Sequence, residues 1–304
     1  MKIDLWYGDE QYFGHLGTPQ RWVNLLGTVT GGAAPVTLTW QLHDSAPASL
    51  NLGPDGLRLR GAGDYNVEIP VTALREGANL VHLQARDGLG NGASKDVVLH
   101  YVAGRTWPLP YTVDFTAVPD IDKAIKSVQV VDGRWRLTPE GIRPENPAYD
   151  RLITFGDVTW RDYRVIVIAR IHSFVQQTPT PQQPNPGLMG GFGLLFRWSG
   201  HHVDEHQPHR EWRPNGAIGW YRARWEESPA RRRCLNISDA VIKDESLVET
   251  PPLTLDPARY YAFEFAVRSH PDAPSRYRYR VWPVGKPECL LCDLTTRARP
   301  GEAP

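Results

Sequence analysis

The segment Ser199–Gly216, SGHHVDEHQPHREWRPNG, brings together His201, His202, Asp204, Glu205, His206 and His209, all able to hold a cation or to hydrogen-bond a polyol. His202 and His206 stand four positions apart with two carboxylates between them, a spacing that serves a metal when the backbone is helical. Pro208 and the loop residues around it oppose a helix, and the HEXXH order of a zinc protease is absent. Trp212 favours another chemistry. An indole can stack on a pyranose ring while His, Asp and Glu exchange hydrogen bonds with its hydroxyls. The stretch therefore has three readings: a sugar-contacting loop, a metal site, or a solvated polar loop.

Alternation supplies a second set of groups. In RYYAFEFAVR, Tyr261, Phe263, Phe265 and Val267 share one face, while Glu264 and Arg268 share the other. Trp220, Arg222 and Arg224 face together, opposite Tyr221; Arg197 opposes Phe196 and Trp198; Arg276, Arg278 and Arg280 alternate with Tyr277, Tyr279 and Val281. Guanidinium groups match carboxylates and sulfates through paired hydrogen bonds. If the polar faces coincide, Arg197, Trp220, Arg222 and Glu264 form one surface with the loop His201–Trp212, which leaves the strand of Arg197 and enters that of Arg222. The plain alternative is the solvated outer face that any half-buried sheet needs.

Catalysis has thinner support. Glycoside hydrolysis needs two carboxyl groups at a defined separation. Glu264 stands alone on its strand, and neither an E-x-D-x-x-E pattern nor a nucleophile elbow or phosphate-cradling glycine loop appears. Arg222, His202 and Tyr260 offer the residue types of a polysaccharide lyase, without its sequence motifs. Cys289 and Cys292 have redox or zinc spacing but lack a second pair, and with Cys234 they give no disulfide framework.

The elements that must position these groups read as strands throughout. A chain of 304 residues with 27 Gly and 27 Pro has room for two many-stranded domains and the turns they need. Up to Gly104, QRWVNLLGTVTG, VTLTWQLHD, DYNVEIPV, NLVHLQARDG and KDVVLHYVAG are short strands separated by turn chemistry, with Trp40 as the expected core tryptophan. Leu74–Asn91, LREGANLVHLQARDGLGN, closely resembles the penultimate strand and turn of bacterial immunoglobulin-like repeats. That resemblance implies an immunoglobulin-like or fibronectin III-like sandwich over residues 1–104, commonly a spacer or docking module. The opening WYGDEQYFGHLGTPQRW is expected to be covered at a junction, with a small ligand surface as the alternative. Arg105–Pro110 reads as a stiff linker anchored by Trp107.

Residues 105–304 open with VQVVDGRWRL, expected as a hairpin with Val131–Trp135 at its tip. They continue with Trp160, Asp162, Tyr163 and Val165, then Gly191, Gly193 and Arg197, then Leu255, Pro257, Tyr260, Tyr261, Phe263 and Val267. This series resembles the concanavalin A-like, laminin-G-like jelly roll. The fold class is therefore expected to be all-β, an immunoglobulin-like sandwich followed by a concanavalin A-like jelly-roll sandwich. The series after Trp282 leaves either an abbreviated last strand in CLLCDLTT or an open edge that invites contact with another chain.

Net charge is zero, which argues against a nucleic-acid binder relying on overall charge, and no apolar run is long enough to span a bilayer. MKIDLWYGDE lacks the apolar centre of a leader, so an extracellular or cell-surface protein with its leader or upstream region outside this chain is expected. The resemblances imply a non-catalytic carbohydrate-binding part of an extracellular bacterial multidomain protein, with acidic polysaccharide as a candidate ligand. The alternatives are a lyase or hydrolase of jelly-roll type, and an adhesion module with protein partners. No cofactor is specified; calcium stays open, because sites built from backbone carbonyls and Asp leave little trace in sequence.

Overall fold

The computed structural model describes residues 1–147, 149–173, 188–211, 216–224, 233–239, 246–286 and 292–298. Its regular structure is almost entirely strand, arranged as all-β sandwiches. Two compact units emerge: Met1–Thr159 with Gly200–Glu211, and Trp160–Ser199 with Trp212–Pro304.

The first unit begins with β1 (Lys2–Leu5), β2 (Glu10–Phe13), β3 (Trp22–Thr30), β4 (Thr37–Leu42), β5 (Ala48–Leu50), β6 (Asp64–Pro70), β7 (Gly77–Arg86) and β8 (Gly92–Tyr101). They form a three-stranded sheet, β1-β3-β6, and a five-stranded sheet, β2-β8-β7-β4-β5. All pairings are antiparallel except β2 with β8, which run parallel. The period-two pattern explains the packing: Val81, Leu83 and Ala85 of β7 point inward with Val97 and Leu99 of β8, meeting Leu25, Val67 and Ile69 from the other sheet. Trp40 contributes from a partly buried position on the face of Leu38 and Leu42. Gly63 (φ +77°) closes the approach to β6, where a Cβ would lie 2.1 Å from the Val29 carbonyl oxygen.

The chain does not separate at Gly104. Residues 105–159 belong to the same compact unit as the first eight strands. They contain α1 (Ile121–Ser127), β9 (Gln129–Val130), β10 (Trp135–Thr138), β11 (Gly141–Pro144) and β12 (Ile153–Thr154). Asp120 caps α1 by accepting from Lys123 N at 2.8 Å. Tyr7, Leu26 and Val130 build a second small core with Trp6, Ile121, Ile125, Trp135 and Ile153, so the aromatic N-terminal segment is covered by this region. The hairpin expected at Val131–Trp135 does not form: β9 pairs with β12, and β10 pairs with β11. The reason lies in Val131 and Asp132, whose amides both donate to the Leu152 carbonyl, drawing the chain away from a tight reversal.

The second unit holds β13 (Tyr163–Ala169), β14 (Leu188–Phe196), β15 (Ala217–Arg224), β16 (Arg233–Asp239), β17 (Ser246–Glu249), β18 (Tyr261–Arg268), β19 (Ser275–Pro283) and β20 (Cys292–Ala298). Two four-stranded antiparallel sheets result, β13-β18-β19-β20 and β14-β15-β16-β17. Phe263, Phe265, Tyr277, Tyr279 and Val281 pack against Phe196, Tyr221, Leu235 and Ile237 in one core. Phe196 and Phe265 meet with ring centroids 4.4 Å apart, within the range of favourable aromatic pairs. β20 supplies a last strand and ends the sheet beside β19. Its Cys292 thiol is buried, and burial pushes it up to about 12, so it is an inert core group. Cys289 lies outside the described residues.

Candidate functional site

The residues expected to form one surface are divided. Arg222 lies on β15 and Glu264 on β18, in different sheets of the second unit. Arg222 is only 5% exposed and offers no open guanidinium. Trp220 stands half-buried on β15, and Trp212 lies outside the described residues. Arg197 adopts φ +55° just beyond β14 and spends its guanidinium on Ser275 Oγ, Ser269 Oγ and the Arg161 carbonyl. His201, His202 and Asp204 belong to the first unit. Chain connectivity misleads here because hydrogen bonds to the first unit claim the loop: Trp22 Nε1 donates to the His201 carbonyl at 2.7 Å, and His209 N donates to Glu68 Oε2 at 2.7 Å. Asp204 turns inward on its own loop, accepting from His206 N and Arg210 N at 2.8 Å each. Burial lowers the His202 pKa.

Glu264 is an outward residue that became buried. It sits on a central strand opposite Arg280, whose Nε donates to Glu264 Oε1 at 2.6 Å, while Arg164 approaches Oε2 at 3.7 Å. Around it the register of β13, β18, β19 and β20 gathers an arginine-rich outer face. Arg164, Ala266, Arg278 and Thr295 form one row; Arg268, Arg276 and Arg297 form another. Arg164, Arg268, Arg276, Arg278 and Arg297 are all exposed. Arg278 pairs with Asp293 through Nε at 2.8 Å, and Asp162 is within electrostatic reach of Arg268. Among the described residues no ion pair holds Arg268, Arg276 or Arg297. The second row therefore sets three like charges beside one another, an arrangement that is unfavourable across paired strands.

The first unit holds a buried ionic cluster that the sequence patterns do not single out. The Arg58 side chain is fully buried, with Nε 3.0 Å from Asp132 and Nη1 3.0 Å from Glu68. Its burial opposes the charged form, but Asp132 and Glu68 more than offset that and hold it protonated. Burial pushes the Asp132 carboxyl up to about 6 against the pull of Arg58. Asn66 Nδ2 donates to Asp132 Oδ1 at 3.0 Å, Asn24 Nδ2 to Asn66 Oδ1 at 3.0 Å, and Gln20 Nε2 to Asn24 Oδ1 at 2.8 Å. His201, also fully buried, stands between Glu68 and Asp150. In β6, DYNVEIP, Asn66 and Glu68 are buried as deeply as Val67 and Ile69, so the strand is covered on both faces and its alternation gives no sign of the cluster.

A cleft of about 310 Å³ in the same unit is lined by Tyr7, Gln11, Tyr12, His15, Trp107 and Lys126, among others. Tyr12 is already engaged: its ring stacks on His100 at 4.7 Å, and the Lys126 ammonium lies 4.3 Å from its centroid. Comparison with known protein families and with curated proteins gives no match to this chain.

Proposed function

We propose that this protein binds an acidic polysaccharide without cleaving it, through the arginine-bearing outer face of β13, β18, β19 and β20. The observation that carries the reading is the in-register row Arg268, Arg276 and Arg297, three like charges side by side and exposed. Guanidinium groups spaced along a pleated surface match the repeated carboxylates or sulfates of an extended glycan. This surface replaces the one expected around Arg222, and it keeps the match of guanidinium groups to acidic sugars. The immunoglobulin-like reading of residues 1–104, supported by the parallel pairing of β2 with β8, makes the first sandwich a supporting module.

The test is binding of the full chain to a sulfated glycosaminoglycan, a polyuronate and a neutral glucan at rising salt. Affinity is expected for the two anionic polymers and is expected to weaken as salt screens exposed charge. The triple variant R268A/R276A/R297A is expected to bind at least about tenfold more weakly; at exposed sites such changes leave stability within about 0.5 kcal/mol. Equal binding of the neutral glucan, or unchanged binding by the triple variant, would overturn the assignment.

A further inference from the structure

Three ligand-type side chains converge in the first unit from widely separated parts of the chain. Asp132 follows β9, Asp150 precedes β12, and His201 opens the segment 200–211. One carboxylate oxygen from each Asp and one imidazole nitrogen all lie within 4.8 Å of one another. His201 Nε2 is 3.5 Å from Asp150 Oδ2. Two ligand atoms about 2.1 Å from a tetrahedral metal stand roughly 3.4 Å apart, so His201 and Asp150 already have ligand spacing, and Asp132 has to close in by at most about 1.4 Å.

We propose that Asp132, Asp150 and His201 form a binding site for one divalent transition cation of the zinc type. The donor set decides the class: an imidazole nitrogen suits zinc, cobalt or nickel, whereas calcium and magnesium prefer oxygen alone. The surroundings resemble the outer shell of a metal site. Glu68 Oε1 lies 3.6 Å from the far imidazole nitrogen, Nδ1, so its charge acts on the ring from the side away from Asp150. Arg58 Nε reaches both oxygens of Asp132, at 3.1 and 3.0 Å, and fixes that carboxylate. The Arg58 charge opposes a nearby cation, and the carboxylates of Glu68, Asp132 and Asp150 offset it. Asp150, a quarter exposed, gives the ion a way in, while His201 and Asp132 are closed off from solvent. Three protein ligands leave a fourth position for water. This centre does not depend on the polyanion surface of the second unit.

The rival arrangement is His201 held between Glu68 and Asp150 with no metal. Calorimetric titration of the chelator-stripped full chain with Zn²⁺ separates the two. One equivalent is expected to bind, and Asp150→Asn is expected to weaken it about 100-fold or more, beyond the ~10–100-fold typical of losing an outer-shell partner. Asp150→Asn is nearly isosteric at a partly exposed position, and its metal-free melting temperature should stay close to that of the parent. A measurement on the unaltered protein guards against a folding artefact: X-ray absorption at the zinc edge should show one imidazole and otherwise oxygen ligands. No stoichiometric binding, equal affinity in Asp150→Asn, or a shell with two or more imidazoles would each overturn the proposal; the last would place the ion on other histidines, such as His202, His206 and His209.

Discussion

Arg58 shows how a single side chain can decide the fate of its neighbours. It sits in a turn-rich stretch, PDGLRLRG, where sequence gives every reason to expect a solvated arginine, yet its guanidinium is enclosed by Glu68 and Asp132. Removing one member of a buried ion cluster leaves the others charged in a poor solvent and typically costs about 3–5 kcal/mol. Arg58→Met should therefore lose roughly that amount in urea unfolding of the first unit. The variant R58M/E68Q/D132N, which removes the stranded charges as well, should recover part of the loss. A cost below about 1 kcal/mol for the single change would mean that the carboxylates simply neutralise. Legibility follows the range of the partner. Local alternation alone sets Arg276 and Arg278 on the face opposite Tyr277 and Tyr279, and the structure exposes the arginines and buries the tyrosines. Burial of Arg58 and His201 depends on segments far away in sequence, which no local pattern reports.

Elements were legible where their stabilising groups are close in the chain. The Asp87–Gly92 turn, read from DGLGNG, is organised by Asp87 itself. Its carboxylate accepts from Leu89 N at 3.0 Å, Asn91 N at 2.8 Å, Asn91 Nδ2 at 3.1 Å and Ala33 N at 3.0 Å. The Asn91 side-chain hydrogen bond leads these contacts in holding the Asp87 pKa down at about 2. A depressed carboxylate contributes stability that is complete above its unfolded value near 4 and is lost as pH falls towards 2. Asp87→Ala should lower the melting temperature at neutral pH, and the gap from the parent should close as the solution is taken through that window. A gap that persists unchanged at pH 2 would show that the carboxylate charge is not what matters. The strand after β9 was less legible. VVDGRW has the chemistry of a tight hairpin, but pairing with Leu152 and the salt bridge from Arg58 to Asp132 outweigh a local turn preference.

At the scale of the whole molecule, the all-β class was legible from alternation and turn residues, whereas the compact units were not. The composition change near Gly104 suggested a boundary, because a Pro-rich stretch usually marks a linker. Here that stretch is packed down: Trp107 is buried, its amide reaches Asp157 Oδ2 at 3.2 Å, and its ring meets Tyr111 edge-on at 5.4 Å. Beyond it, Gln129 Nε2 donates to the Trp22 carbonyl at 2.7 Å, and Trp135 N donates to the Tyr7 hydroxyl at 2.9 Å. A cut at Arg105 would therefore strip Ile121, Ile125, Val130, Trp135 and Ile153 of the apolar partners they have in Tyr7 and Leu26. Apolar surface exposed in this way costs about 25 cal/mol per Å² and promotes aggregation. Expressed alone, residues 105–304 should bind a hydrophobic dye and show poor near-ultraviolet dichroism from Trp107 and Trp135, even if the strands of the second unit persist. The full chain should show neither sign. A cooperative, dye-silent fragment beginning at Arg105 would restore the boundary at Gly104 and would mean that the small core around Tyr7 contributes little to folding.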